Sequence, residues 1–100
     1  MGLLDFFKPR KLERNSPSPV GMWLGNNVEI EIRPDGTLDY VIIEPGKRQI
    51  MKLTYRVEGD EIVSNQPSAP REERTKFWYE NGNLVLMFQG ERSEYRRGNR

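Results

Sequence analysis

A chain of 100 residues with 16 basic and 15 acidic side chains is one small domain with a net charge of +1, which is not the footprint of a nucleic-acid binder. It contains neither cysteine nor histidine. That removes disulfide staples, thiolate and imidazole metal sites, and the imidazole-dependent triads of nucleophilic catalysis, and it leaves carboxylate pairs as the one familiar catalytic device.

The first segment, Met1-Gly2-Leu3-Leu4-Asp5-Phe6-Phe7-Lys8, is a short apolar burst interrupted by Asp5 and followed by Pro9, Arg10 and Lys11. A secretory signal places its charges before a longer apolar run, and Phe6 stands where myristoylation favours Ser or Thr. No stretch approaches the ~20 apolar residues of a membrane span, so the expected location is cytoplasmic. Leu3, Leu4 and Phe7 share a face at helical spacing, which predicts a helical turn or two. Residues 9–19, basic, polar and proline-rich, read as a flexible tether. The expected organisation is therefore an N-terminal apolar segment and tether over 1–19, a β domain over 20–97 and a tail over 98–100.

From Val20 onward the pattern is strand after strand. Pro34-Asp35-Gly36, Glu44-Pro45-Gly46, Glu58-Gly59-Asp60, Asn81-Gly82 and Gly90-Glu91 punctuate runs rich in Val, Ile, Tyr, Phe and Trp. They predict eight strands near 20–25, 28–33, 37–43, 48–57, 60–64, 74–80, 84–89 and 92–97. Short hairpin loops force sequential antiparallel pairing, so the expected fold is all-β, a small up-and-down antiparallel barrel or half-barrel. The one long connection runs from Asn65 to Glu73 through Pro67 and Pro70.

Alternation sorts the two faces. Val28, Ile30 and Ile32 oppose Glu29, Glu31 and Arg33; Met51, Leu53, Tyr55 and Val57 oppose Ile50, Lys52, Thr54 and Arg56. Phe77 and Tyr79 oppose Lys76, Trp78 and Glu80, and Leu84, Leu86 and Phe88 oppose Val85, Met87 and Gln89. One apolar face through successive strands is what a closed sheet requires. A second apolar set, Val41, Ile43, Ile50, Trp78, Val85 and Met87, falls on the outer face. Two covers are open for it: the N-terminal Leu3, Leu4, Phe6 and Phe7 folding back, or a homodimer or partner interface.

Gly21-x-Trp23 on the first strand and Arg96 or Arg97 after Tyr95 on the last resemble the structural signature of the calycin superfamily, with small bacterial lipocalin-like domains as the nearest group. The Asp35-Gly36-Thr37 turn and Tyr55-x-Val57-x-Gly59-Asp60-x-Ile62 are similar to hairpins of that group. The resemblance implies that Trp23 lies across one closed end of the barrel and that Arg97, in phase with Tyr95, stacks over it. Gly21, Trp23 and Arg97 are then closure residues rather than ligand contacts. Typical lipocalins have longer strands; strands of about six residues span only ~20 Å, and an eight-strand interior is just wide enough to fill with side chains.

An interior of Tyr40, Tyr55, Phe77, Tyr79 and Phe88 is the candidate ligand site, with little room expected beside five aromatic rings. The other clusters have simpler readings. Arg71-Glu72-Glu73-Arg74 reads as a self-paired surface run. Arg92, Arg96, Arg97 and Arg100 with Lys8, Arg10, Lys11 and Arg14 have only Tyr95 as aromatic company, so an oligonucleotide-binding barrel is a minor alternative. Glu29 with Glu31 and Asp60 with Glu61 are the close carboxylate pairs; the first lies on the polar face, which argues for solubility over catalysis. The expected role is non-enzymatic, needs no cofactor or metal, and consists of binding a small apolar or amphipathic ligand. The alternative is a protein-interaction module or homodimer that uses the outer apolar face.

Overall fold

The computed structural model describes residues 18–98, so the N-terminal apolar segment and most of the tether lie outside the described residues. The eight expected strands are present: β1 Gly21–Gly25, β2 Val28–Ile32, β3 Thr37–Glu44, β4 Lys47–Glu58, β5 Glu61–Asn65, β6 Glu73–Glu80, β7 Asn83–Phe88 and β8 Glu91–Arg97. Each pairs antiparallel with the next, and β8 pairs with β1, closing the sheet into a barrel. Among the described residues there is no helix, and none long and apolar enough to cross a membrane.

The turn chemistry explains the tight connections. Asn81 and Gly82 both hold positive φ, 54° and 82°, as a two-residue hairpin requires to match the strand twist. Asp35 accepts from the Thr37 backbone N–H at 3.0 Å and from its hydroxyl at 2.6 Å, fixing the turn that reverses β2 into β3. Up-and-down order then sends alternate connections to opposite ends. The chain entry at Ser18–Val20 and the 33–36, 59–60 and 81–82 turns gather at one end, with the end of β8. The turns at 26–27, 45–46 and 89–90 and the long 66–72 loop gather at the other.

The core is the inner face read from alternation. Trp23, Ile30, Ile32, Leu38, Ile62, Phe77, Leu84 and Tyr95 form one buried cluster, with Val28, Tyr40, Leu53, Tyr55, Tyr79 and Leu86 packed against it. The registers agree: Trp23 opposes Ile30, Ile30 opposes Tyr40, Ile32 opposes Leu38, and Tyr79 opposes Leu84, which opposes Tyr95. Side chains directly opposite lie about 5 Å apart, so these pairs weld neighbouring strands into one core.

The outer face differs from expectation in two places. Val41 and Val85 belong to the outer apolar set that the sequence leaves to be covered by the N-terminal segment or a partner, yet within residues 18–98 they are already only 7% and 0% exposed, and Val63 on the same face is 2% exposed. Their cross-strand neighbours are Glu29 and Ile50 for Val41, Arg56 and Arg74 for Val63, and Trp78 and Glu94 for Val85. These are long side chains with the reach to lie over a short valine. Both arginines are engaged in ion pairs: Arg74 reaches Glu58 at 3.1 Å and Glu61 at 3.0 Å, and Arg56 reaches Glu72 at 3.1 Å.

The ladders are uneven in length. β3 pairs with β4 over Thr37–Glu44 against Lys47–Thr54, but β5 joins β4 only from Thr54 onward. The far edge of Lys47–Leu53 therefore has no ladder partner among the described strands. Lys47, Arg48 and Lys52 line that stretch, the charged edge that discourages uncontrolled strand pairing. The closing ladder between β1 and β8 is shortest, with Trp23 opposite Arg97 and Leu24 opposite Arg96, extended by Gly98 N–H donating to Met22 C=O at 2.8 Å.

Leu84 is completely buried on the inner face, between Tyr79 and Tyr95. Leu84→Ala is expected to lower the unfolding free energy by about 2–5 kcal/mol, read from the urea midpoint at constant slope.

Candidate functional site

The two ends of the barrel are built differently, and that contrast defines the site. At the entry end, Trp23 is wholly buried and its Nε1–H donates to the Pro19 carbonyl at 2.9 Å. The Arg97 guanidinium carbon sits 4.2 Å from the Trp23 ring centroid, and Arg97 also donates to the Val20 carbonyl at 3.3 Å. A cation over an indole face is attracted by the ring quadrupole. Gly21, with φ of 143°, lies directly beneath the guanidinium, and a Cβ there would run into Arg97. Tyr79 packs against Trp23 with centroids 6.0 Å apart and donates to the Ser18 carbonyl at 3.0 Å. Tyr55 donates to the Arg33 carbonyl at 2.6 Å. The backbone entering the barrel and two tyrosine hydroxyls thus seal this end.

The opposite end is open. A cavity of about 670 Å³ enters the barrel there, lined within by Ile30, Ile32, Leu38, Leu53, Ile62 and Leu86. Little room was expected, and the reason for the difference lies in residues the aromatic count passed over. Ser64, Thr75 and Ser93 occupy inner-face positions on β5, β6 and β8 and line the cavity with small side chains. Among the described residues their hydroxyls have no hydrogen-bond partner. Near the mouth stand Asn65, Gln66, Arg71, Glu73, Phe88 and Glu91.

The five aromatic residues expected inside divide by position. Phe77 is buried in the core and meets Tyr79 edge to face at 6.2 Å. Tyr55 and Tyr79 spend their hydroxyls on backbone carbonyls rather than on the cavity. Tyr40 lines the cavity, and Phe88 lines its mouth while remaining 38% exposed. Burial pushes the Tyr40 hydroxyl up to about 12, assisted by the charge of Tyr95 and the hydrogen bond between the two side chains. Burial also raises Tyr55 and Tyr79; the charge of Asp35 adds to the first, and that of Arg97 opposes the second.

Ion pairs engage most of the remaining charged candidates. Arg71 meets Glu73 at 2.9 Å, and Glu72 meets Arg56 at 3.1 Å. Glu29 meets Arg48 at 3.4 Å, Glu61 meets Arg74 at 3.0 Å, and Asp60 meets Lys76 at 3.8 Å. Arg92 is engaged by Glu80 and Glu94 on the outer surface. Lys8, Arg10, Lys11, Arg14 and Arg100 lie outside the described residues. Of the outer apolar set, Ile43, Trp78 and Met87 are partly covered, Trp78 donating to Glu80 at 2.7 Å, while Ile50 is 50% exposed. Among the described residues no three acidic side chains gather in a way that could hold a metal ion.

No protein-family profile, curated protein or solved structure significantly matches the chain.

Tyr40 gives a pH signature. Its phenol is protonated in the fold up to about 12, whereas a tyrosine in the unfolded chain ionises near 10. The unfolded state therefore loses protons first, so this contribution is complete below about pH 10 and is lost as pH rises towards 12. Stability is expected to fall across that window, and Tyr40→Phe should flatten the decline in urea titrations at successive pH values.

Proposed function

We propose that this chain is a lipocalin-like calycin barrel that binds a small amphipathic ligand through its open end and performs no catalysis. The observation that supports this reading is the contrast between the two ends: one sealed by Trp23, Arg97 and Tyr79, the other opening into an apolar cavity of about 670 Å³. Ligand pockets typically span ~300–1,000 Å³, with mostly apolar walls and a few polar groups that set orientation. Ile30, Leu38, Leu53 and Ile62 supply such walls, and Ser64, Thr75 and Ser93 supply hydroxyls. The Gly21, Trp23 and Arg97 arrangement supports the family reading because it provides the closure that the resemblance implies. A cytoplasmic location remains the proposal that accompanies this role.

The test is uptake of the neutral fluorophore N-phenyl-1-naphthylamine. Its emission is expected to rise with the wild-type protein. It should stay at the free-dye level with Thr75→Trp, which fills the cavity from β6 while leaving the far-ultraviolet dichroism of the barrel intact. No rise with the wild type, or an equal rise with both proteins, overturns the reading.

A second reading, contact with a protein partner or a second copy, is favoured by one observation: Ile50 is half exposed on the stretch of β4 whose far edge has no ladder partner among the described strands. If that surface holds copies together, sedimentation velocity should show a wild-type dimer and an Ile50→Glu monomer. A monomeric wild type removes the homodimer.

A further inference from the structure

We infer that the ligand of this cavity is an aliphatic or aromatic amine, bound with its protonated nitrogen at the mouth beside the Glu91 and Glu73 carboxylates and its apolar body inside. The inference rests on the cavity reading above and adds the chemical class of the ligand.

The polarity of the cavity is one-sided. Ile30, Ile32, Leu38 and Leu53, from β2, β3 and β4, form an apolar wall. On β5, β6 and β8 the inner-face positions nearer the mouth are instead Ser64, Glu73, Thr75, Glu91 and Ser93. Period-two alternation makes this placement a property of the strands. Glu73 and Thr75 are in phase with buried Phe77, and Glu91 and Ser93 are in phase with buried Tyr95. An exposed rim can carry acidic residues for solubility alone, but these two are in phase with the buried core positions of their own strands.

The hydrogen-bonding inventory points to a donor. Ionised carboxylates only accept, and hydroxyls both donate and accept, so a head group that donates several hydrogen bonds satisfies the whole set. A primary ammonium does so with three N–H groups and adds a charge of the right sign. The charge count agrees. Glu73 is matched by Arg71 at 2.9 Å. Arg92 also borders the cavity, but its guanidinium is taken by Glu80 at 2.7 Å and Glu94 at 3.5 Å. Glu91 has no ion-pair partner among the described residues, which leaves one uncompensated negative charge at the mouth. β6 and β8 are separated only by β7, about 10 Å between strands, and the register sets Glu91 level with Thr75 with Glu73 two residues nearer the mouth, an added offset of about 7 Å that still lets two glutamate side chains reach one ammonium. A carboxylate head would meet this charge with repulsion, and a neutral alcohol would leave it unmatched.

The experiment compares n-decylamine, n-decanol and n-decanoate by isothermal titration calorimetry at neutral pH, with the wild-type protein and with Glu91→Gln. Decylamine is expected to bind about tenfold more tightly than decanol, the size of a charge-assisted hydrogen bond. Decanoate should be weakest, and the amine preference should shrink as salt is added. Glu91→Gln should bring decylamine to the level of decanol and leave decanol unchanged, which a merely structural role for Glu91 would not do. Decanol or decanoate binding as tightly as the amine overturns the amine assignment and leaves the cavity reading standing. An amine preference that survives Glu91→Gln overturns the assignment to this carboxylate. Binding of none of the three overturns the cavity reading itself.

Discussion

Everything in this molecule depends on joining the first strand to the last. The ladder that does so has only two residue pairs, Trp23 with Arg97 and Leu24 with Arg96. Two antiparallel pairs hold little by themselves, and the side chains supply the rest. Arg97 lies on the Trp23 indole, the indole is anchored to Pro19, and Tyr79 supports it from β6. A buried indole that gives its one N–H to a carbonyl carries a large apolar surface into the core without leaving a donor unpaired. Closure in turn removes most of the sheet edge that an eight-strand meander would expose. Without this contact the inner face of β1 and the inner face of β8 would lose their cover together.

The same arrangement explains why the barrel is filled at one end and hollow at the other. Trp23, Phe77, Tyr79 and Tyr95 concentrate aromatic volume toward the closure. Farther along the same strands the inner positions fall to Ser93 on β8 and Thr75 on β6, which are too small to meet across the interior. Tyr55 and Tyr79 do not reach back into the space, because their hydroxyls are held by the carbonyls of Arg33 and Ser18. Packing and vacancy are therefore two outcomes of one gradient in side-chain size along the barrel axis. The gradient also gives the cavity a direction, with hydrocarbon toward the closure and charge toward water.

The fold was legible because the turns are chemically explicit and the strands alternate cleanly. Asn81-Gly82 between Phe77-Trp78-Tyr79 and Leu84-Val85-Leu86 can be little else than a tight hairpin, and the inner face follows from it. The site was less legible, for two physical reasons. Ser64, Thr75 and Ser93 are ordinary strand-surface residues by type, and although alternation puts them in phase with Ile62, Phe77 and Tyr95, only the closed barrel shows the space their small side chains leave. Val41 and Val85 show the converse. Alternation assigns them outward, but outward is not the same as exposed when neighbours such as Ile50 and Trp78 are long enough to cover them. Local periodicity carries orientation; it carries neither cover nor the space left by small residues.

The short β1–β8 ladder has a mechanical side as well. The seven hairpin ladders join strands adjacent in the chain, whereas the seam joins strands from opposite ends of the domain. Tension applied at Ser18 and Gly98 acts across that seam directly, because the Gly98 N–H is itself bonded to Met22 in β1. Bonds that share a load resist it together, but bonds peeled one after another resist only singly. Here two residue pairs and one flanking hydrogen bond lie in the line of force. Pulled from its ends, the barrel would unzip along this line into a flat meander long before any hairpin came apart, with Arg97 lifting from Trp23 as the first event.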